Sequence, residues 1–298
     1  LDRMMTRKIT GMPQGGIRYS LVCREDGGIL DDVLVYRLGT VEGNDQFSMV
    51  VNASNREKLW TWFHSQVAGL DVAITDQTEG TAMIAVQGPR ALEIVNRPLG
   101  FDLSSMKYFS GRHARFHDIP LTVSRTGYTG EDGCELVVTN EFAARVWEEL
   151  LLNEAVSAAG LGARDTLRLE SGMPLYGHEL TEEINPWQTS MRFAMSLKDR
   201  DFVGKEAVLT AMSDESLPVR VGLVLEGRRA ARQDAEVFLG EKLVGCVTSG
   251  TFSPTLQQPI AMAYLPREIV AGNNELVVDI RGKKIPAKLV DLPFYKRK

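Results

Sequence analysis

Two stretches near the start of the chain alternate apolar and polar residues with the period of a β-strand. They cover residues 17–24 and 29–37 and are rich in β-branched and aromatic side chains. The acidic, glycine-containing sequence between them is typical of a tight hairpin turn. With Asp26 and Gly27 as the central turn residues, the pattern predicts three facing pairs: Tyr19–Leu34, Leu21–Asp32 and Cys23–Leu30.

One carboxylate falls on the apolar face of this predicted hairpin. Side chains alternate between faces along a strand, so Asp32 shares its face with apolar residues and two tyrosines: Ile17, Tyr19, Leu21, Cys23, Leu30, Leu34 and Tyr36. A buried carboxylate needs partners. Two interpretations stay open for Asp32: a strand-end group that accepts backbone hydrogen bonds, or an acid, base or ligand-orienting group in a pocket. Asp31 is predicted to point the other way, into solvent, with Arg24 and Arg37.

The rest of the first two hundred residues mixes strand and helix patterns. Strands are predicted over residues 47–52, 72–75 and 82–86, and a helix after Ser54 as its N-cap. A further helix follows Pro89, and a strongly amphipathic one covers residues 141–155. The first residues, with Leu1, Met4, Met5 and Ile9, also read as an amphipathic helix. This succession predicts an α+β fold rather than a doubly wound parallel sheet.

A glycine-rich connection, residues 126–133, separates predicted strands over residues 122–125 and 135–138. It contains neither a GxGxxG nor a GxxxxGK[ST] pattern, and no helix start follows it, which argues against nucleotide binding. A tight turn with positive φ accounts for the glycines. It does not account for Tyr128 or Glu135, which makes this connection a second candidate site.

Two arginines four residues apart accompany the next predicted helix. Residues 160–165 read as a loop, and Asp165 is predicted to cap a helix over residues 166–171. An arginine at a helix start opposes the macrodipole, so Arg164 is expected to have a specific partner. Arg168 can equally be a structural ion-pair residue.

From Pro218 onward the pattern changes to short strands with glycine and proline turns. Such a pattern predicts an antiparallel, barrel-like module. We therefore divide the chain into residues 1–214, with two interleaved α+β subdomains, and residues 215–298, a β-barrel domain.

Composition narrows the classes of function. The 298 residues are 44% hydrophobic and 24% charged with a net charge of −5, and no basic stripe suggests a nucleic-acid partner. No apolar run approaches the roughly 20 residues that span a bilayer. The three cysteines are far apart, so neither a disulfide framework nor a zinc site is expected, and a reducing, cytosol-like compartment fits them. His113 and His117 lie in a strand-like segment, and no metal site is predicted there.

Several motifs resemble one enzyme family. In order along the chain they are GGIRYSLVCREDGGILDDVLVYR, SRTGYTGEDGCEL, GLGARDTLRLESGMPLYGHEL, KDRDFVGKEA, VTSGTFSPTLQQPIAMAYL and RGKKIPAKLVDLPFY. They resemble the aminomethyltransferase (T-protein) of the glycine cleavage system, and the likeness covers essentially the whole chain. The resemblance implies a folate-binding fold of α/β subdomains with antiparallel sheets, followed by an antiparallel barrel. The family normally carries a further N-terminal segment, so we expect this chain to be a fragment without it.

The resemblance also implies roles for particular residues. Asp32 matches the aspartate near folate N5 and N10, which raises N10 nucleophilicity and relays protons. Glu135 matches the glutamate that pairs with the pterin edge. The remaining implied folate contacts are Tyr19, Tyr36, Tyr128, Arg164 and Tyr295.

The implied reaction transfers the methylene group of the aminomethylated lipoyl arm of H-protein to tetrahydrofolate with release of ammonia, without a metal. Lipoylated H-protein and tetrahydrofolate are therefore the expected partners, in the cytoplasm or, in a eukaryote, the mitochondrial matrix. One alternative is a folate-dependent demethylase or one-carbon acceptor of the same fold. Another is a non-catalytic folate-binding protein of the iron–sulfur assembly type, although its KGCYxGQ-like motif is absent from this sequence.

Overall fold

The first sheet is built around the predicted hairpin. The computed structural model describes residues 1–41, 43–272 and 275–297. Its first sheet is antiparallel, in the order β1 (Ile17–Cys23), β2 (Ile29–Val41) and β3 (Asn44–Val50). The pairs Tyr19–Leu34 and Leu21–Asp32 form as predicted. The hairpin thus places Asp32 and Tyr19 on adjacent strands of one face.

The predicted pairing of Cys23 with Leu30 is wrong, because the turn has a different geometry. Arg24 N donates to Gly28 O at 2.9 Å and Gly27 N donates to Arg24 O at 3.0 Å, which closes a three-residue loop. Gly27 has φ of +86°, a conformation that favours glycine at this bulge position. A bulge then pairs Cys23 with Ile29.

This bulge changes which side chains share a face. Leu30 packs with Val22, Val33 and Val35 on the far side of the sheet. Ile29 takes its place on the Asp32 side, where it packs with Leu21 and Cys23, among others. The face of Asp32 is therefore apolar as expected, but with one member exchanged.

The far side of the first sheet is covered rather than solvated. Helix α1 (Arg56–Gln66) and the first residues of the chain pack there, and Met5 and Leu59 are buried in the shared core. The first residues form turns, so the helix predicted from Leu1 is wrong. The helix N-cap is Asn55 instead of Ser54, because a 3₁₀ turn over Ala53–Asn55 precedes the helix. Residues 72–75 form no strand.

The second sheet is four-stranded and carries two helices. Its order is β4 (Thr81–Gln87), β7 (Gly133–Thr139), β6 (Ile119–Ser124) and β5 (Gly111–Phe116). Helices α2 (Ala91–Leu99) and α3 (Asn140–Leu151) cover one face with apolar side chains such as Val95 and Val146. Neighbouring strands are antiparallel. The α+β class is confirmed.

The last third of the chain contains a closed six-stranded barrel. Two helices precede the barrel strands in the chain, α4 (Leu161–Glu170) and α5 (Lys205–Ser213). A short helix, α6 (Arg267–Ala271), connects two of the barrel strands. In spatial order the barrel strands are β10 (Lys242–Ser253), β11 (Gln258–Leu265), β8 (Val219–Leu225), β13 (Lys284–Val290), β12 (Leu276–Asp279) and β9 (Glu236–Leu239). The division of the chain at residue 214 stays a prediction. Within the described ranges, no helix combines the length and apolarity needed to cross a membrane.

Helix α4 begins earlier than predicted and ties the barrel to the rest. Gly160 is its N-cap, so Asp165 lies inside the helix. The Asp165 carboxylate pairs with Arg168 Nη2 at 2.7 Å and is not the cap. Arg168, 1% exposed, also donates to Glu179 at 2.8 Å and to Ser249 of β10 at 2.7 Å. This buried cluster positions the helix that carries Arg164.

Candidate active site

Asp32 lies on β2, where both of its carboxylate oxygens are hydrogen bonded. Tyr19 Oη donates to Oδ2 at 3.1 Å, and Asn52 Nδ2 donates to Oδ1 at 2.8 Å. Burial first, and then the charge of Asp31, raise the pKa of Asp32 to about 6, against the effect of these two hydrogen bonds. A carboxyl group with this pKa can both take and give a proton near neutral pH.

Asp31 is not solvated, contrary to the prediction. It is 0% exposed and accepts hydrogen bonds from Asn52 and Asn55. Arg24 instead pairs with Asp26, and Arg37 pairs with Asp45. The reason is tertiary: α1 and the chain before β1 cover the face of the sheet that strand alternation alone left open.

A second polar group surrounds Glu135 on β7. The strand register places Glu135 opposite Ser124 of β6, and Thr126 Oγ1 donates to the Glu135 carboxylate. The hydroxyl of Tyr36 is buried nearby and has no hydrogen-bond partner within the described part of the chain. Burial and the charge of Glu135 raise the pKa of Tyr36 to about 12, against the effect of the neighbouring Ser124 and Thr126 hydroxyls, so its own hydroxyl stays protonated. The group thus offers an anionic acceptor beside an unused donor.

The two polar groups meet because the two sheets join edge to edge. Gly16 and Ser110 form an isolated antiparallel bridge, and Ile17 N donates to Phe109 O at 2.9 Å. Tyr36 is the partner of Ile17 in the β1–β2 ladder. Tyr36 therefore lies at the junction, on the same strand as Asp32.

Tyr128 and Arg164 form a third part of the candidate site. Tyr128 lies in the glycine-rich connection, and its hydroxyl donates to the carbonyl oxygen of Pro174. The guanidinium carbon of Arg164 lies 4.9 Å from the centre of the Tyr128 ring, a cation–π geometry. Burial is the main cause that raises the pKa of Tyr128, and the Asp32 charge acts in the same direction. The interaction with the Asp32 charge connects Tyr128 to the polar group that Asp32, Tyr19 and Asn52 form.

Tyr295 lies at the edge of the same connection. Its hydroxyl donates to the Glu131 carboxylate, and its backbone N–H donates to Glu170 O at 2.8 Å. The chain after the barrel therefore returns to the glycine-rich connection. Within the described residues, Tyr295 makes no hydrogen bond to Asp32 or Glu135.

Two residues of this region were missed by the sequence analysis. Asn52 follows β3, and continuing the Leu34–Val50 register by two residues would have placed it opposite Asp32. Arg220 comes from β8 and donates to Thr189 O at 2.9 Å and to Gly172 O at 2.7 Å. Burial lowers the pKa of Arg220, against the effects of Tyr264 and Glu179 first and of Tyr19 and Tyr128 after them. Nothing in the local sequence around Arg220 indicates this position.

Metal-ligating and thiol groups do not assemble in this region. In the ranges that the structure describes, no three His, Cys, Asp or Glu side chains group as a metal site would require. Cys23 and Cys134 are buried, and burial raises the pKa of both thiols. They are therefore protonated at neutral pH and poor nucleophiles.

Comparisons with known proteins agree with this architecture. The family model described as the GCVT N-terminal domain matches residues 1–199. The model described as the glycine cleavage T-protein C-terminal barrel domain matches residues 219–296. Together they account for both sheets and the barrel.

Similar proteins cover nearly the whole chain. An aminomethyltransferase of Corynebacterium aurimucosum is 43% identical over 302 residues, which is 97% of this chain and 79% of that protein. An aminomethyltransferase of Bacillus cereus is 40% identical over 303 residues, which is 100% of this chain and 81% of that protein. The crystal structure of glycine cleavage system aminomethyltransferase T from Bartonella henselae superimposes with a TM-score of 0.88 at 29% identity, over 99% of this chain and 80% of that chain. The chain belongs to the glycine cleavage T-protein family.

Proposed function

We propose that this protein is a tetrahydrofolate-dependent aminomethyltransferase of glycine cleavage. It transfers the methylene group from the aminomethyl-dihydrolipoyl arm of H-protein to tetrahydrofolate, with release of ammonia. The observation that carries the proposal is Asp32, a carboxyl group with a pKa of about 6 whose two oxygens are held by Tyr19 and Asn52. The named relatives favour this reaction over a demethylase or a non-catalytic folate-binding protein.

The polar group around Glu135 fits the pterin of tetrahydrofolate. A 2-amino-4-oxo pteridine presents adjacent N–H donors, which a carboxylate can match with paired hydrogen bonds. Within the described residues, the Glu135 carboxylate accepts one side-chain hydrogen bond, from Thr126, and the Tyr36 hydroxyl is a buried donor that still needs a partner. When bound, tetrahydrofolate supplies the nitrogen that accepts the methylene group.

The residues around Asp32 give its carboxylate a defined orientation. Tyr19 and Asn52 each occupy one oxygen, and lone pairs remain on both for a substrate. At pH 7 the carboxylate is mostly ionised, so it can accept a proton from a neighbouring amine or stabilise positive charge there. The half-buried position strengthens this interaction because less water competes than at an exposed site.

Aromatic side chains provide the walls of the site. Tyr19 packs beside Phe193 with ring centroids 5.8 Å apart, and the Arg164 guanidinium lies over the Tyr128 ring. Flat faces of this kind suit a heterocycle and its aminobenzoate. We assign Tyr128, Arg164 and Tyr295 to contacts along the co-substrate.

The direct test is ammonia release from aminomethylated H-protein with and without tetrahydrofolate. We expect release that depends on tetrahydrofolate and falls at least about 100-fold in Asp32→Asn, with folate affinity kept because Asp32 is not part of the Glu135 group. Asp118→Asn, which alters an exposed pair with Arg145, is the matched control and should keep full turnover. Absence of ammonia release by the unaltered protein, or full turnover by Asp32→Asn, would contradict the proposal.

A further inference from the structure

One amide group touches both carboxylates of the Asp31–Asp32 pair. Asn52 Nδ2 donates to Asp31 Oδ1 at 2.7 Å and to Asp32 Oδ1 at 2.8 Å. An amide nitrogen carries two hydrogens, so both bonds can form at full strength. Asn52 therefore bridges a residue inside the candidate site to one on the opposite face of the same strand.

Asp31 is fixed more firmly than Asp32. Its second oxygen accepts from Asn52 N at 3.1 Å, and Asn55 Nδ2 donates to Oδ1 at 2.6 Å. It is fully buried, and within the described residues it has no cationic partner in an ion pair. Burial is the largest cause that raises the pKa of Asp31. A buried, unneutralised carboxylate next to a reactive one is costly, which calls for a functional reason.

We propose that Asn52 is a positioning residue for the transfer reaction and that Asp31 opposes its electrostatic effect. The amide orients Asp32 and favours its ionised form, whereas the charge of Asp31 disfavours that form. Without Asp31, Asp32 would be a weaker base at neutral pH; without the amide, a larger fraction of Asp32 would be protonated, and Tyr19 alone would orient it. The inference rests on the proposed role of Asp32 in the reaction.

Other charged and titratable groups face Asp32 without taking part in the Asn52 bridge to Asp31. Tyr19 of β1 donates to Oδ2, and Tyr128 of the glycine-rich connection interacts with the Asp32 charge. Arg220 of the barrel lies within electrostatic range of both tyrosines. In the described part of the chain none of the three bonds to Asp31, so variants at Asn52 and Asp31 address the bridge without removing these contacts.

Loss of Asn52 and loss of Asp31 should shift the pH profile of kcat in opposite directions. In Asn52→Ala the loss of a hydrogen bond to the carboxylate should move the acid limb of kcat upward by about one pH unit. In Asp31→Asn the loss of a like charge should move it downward by about one pH unit. Since neither side chain belongs to the Glu135 group, KM for tetrahydrofolate should stay within about twofold in both variants.

A matched control is available outside the site. Asn96 Nδ2 donates to Asp102 Oδ1 at 2.9 Å, and Asn96→Ala removes a similar bond without moving the acid limb. If Asp31→Asn does not fold, as checked by circular dichroism, Asp31→Ser removes the same charge with a smaller side chain. The proposal would be overturned if the acid limb moved in the same direction in the Asn52 and Asp31 variants. A lower kcat with an unmoved acid limb in both would also overturn it.

A measurement without substrates separates this inference from the proposed function. Carbon-13 NMR of labelled aspartate carboxyl groups follows the titration of Asp32 in the free protein, identified by the signal lost in Asp32→Asn. We expect the pKa order Asn52→Ala above unaltered protein above Asp31→Asn. Failure of ammonia release together with this order would reject the function and keep the bridge, whereas an unchanged titration in both variants would reject the bridge.

Discussion

At Asp32, burial and hydrogen bonding act on one carboxyl group in opposite directions. Burial and Asp31 disfavour its charge, and Tyr19 and Asn52 favour it. The resulting pKa of about 6 lies close to the pH at which a proton-transfer group works best. This balance has a cost in folding, because the ionised group is less stable in the native state than in the unfolded chain.

The charge of Asp32 should make the stability of the protein depend on pH. The pKa of Asp32 is about 6 in the fold and 3.8 ordinarily, so its destabilising effect is absent below about pH 4 and complete above about pH 6. We expect Asp32→Asn to increase the free energy of unfolding by about 3 kcal/mol at pH 7.5 and by only about 1 kcal/mol at pH 4.5. Urea denaturation at both pH values measures the difference. An equal gain at both would show that the charge of Asp32 is not what destabilises the fold.

The same carboxyl group should determine how activity depends on pH. Since the proposed mechanism uses the ionised carboxylate of Asp32, kcat/KM should fall as the pH drops through about 6. Steady-state rates from about pH 5 to about pH 8 test this expectation. A flat profile across that range would mean that no group with this pKa takes part.

A second residue, Glu135, is expected to govern affinity rather than turnover. Glu135→Ala removes a buried carboxylate whose paired hydrogen bonds would hold the pterin, so Kd for tetrahydrofolate should rise on the order of 100-fold. Isothermal titration calorimetry measures the affinity, with the exposed Glu148→Ala on α3 as the control. Unchanged affinity in Glu135→Ala would place the pterin elsewhere.

Among the elements, the glycine-rich connection between β6 and β7 depends on close contact with one side chain. Gln87 Nε2 donates to Thr126 O at 3.1 Å and to Cys134 O at 3.0 Å, which ties both ends of the connection to β4. A Cβ at Gly127 would overlap the Gln87 amide, with its nearest atom Oε1. The glycine is therefore required for packing, and it lies immediately before Tyr128.

This close contact predicts the effect of a single methyl group. We expect Gly127→Ala to cost about 1–3 kcal/mol of stability, since Gln87 must give up its two bonds. Tetrahydrofolate affinity should fall as well, because Tyr128 moves with the connection. Gly162→Ala, whose Cβ would meet nothing within 4 Å in α4, is the control and should be neutral or stabilising. Thermal unfolding measures the stability of both variants, and an equal loss in Gly127→Ala and Gly162→Ala would refute the packing argument.

In the whole molecule, a buried ion pair connects the helix that carries Arg164 to the barrel. Arg168 and Glu179 are 1% and 0% exposed, and Thr248 of β10 donates to the same glutamate. Glu170 of α4 also accepts hydrogen bonds from Ser253 and Thr255 of the barrel. These contacts fix the position of the barrel, and with it Arg220, relative to the two sheets.

Breaking this pair should affect the whole molecule. Arg168→Met leaves Glu179 charged and buried, which costs about 3–5 kcal/mol. Adding Glu179→Gln should recover part of that loss, because the uncompensated charge disappears. The exposed Arg145–Asp118 pair is the matched control, and Arg145→Met should cost less than about 1 kcal/mol. Chemical denaturation compares them; similar losses for Arg168→Met and Arg145→Met would show that burial does not matter for this pair.

Much of the architecture followed from the sequence alone. Period-two alternation predicted the β1–β2 hairpin and the Leu21–Asp32 pair, and the change in pattern after Pro218 predicted the barrel. These features depend on residues close together in the chain, where strand alternation and turn chemistry act directly. The roles expected of Glu135 and Arg164 came mainly from the resemblance of motifs, because spacing alone did not assign them.

The tertiary structure alone decided what surrounds those residues. Strand alternation assigned Asp31 to an open face, but α1 and the first residues cover that face, and Asn52 and Asn55 bind the carboxylate. Arg220 reaches the site only because the barrel closes against α4. Burial, pKa shifts and most hydrogen-bond partners arise from segments far apart in sequence, so local patterns carry little information about them. The sequence thus determined which strand bears Asp32, and the packing of distant elements determined its charge.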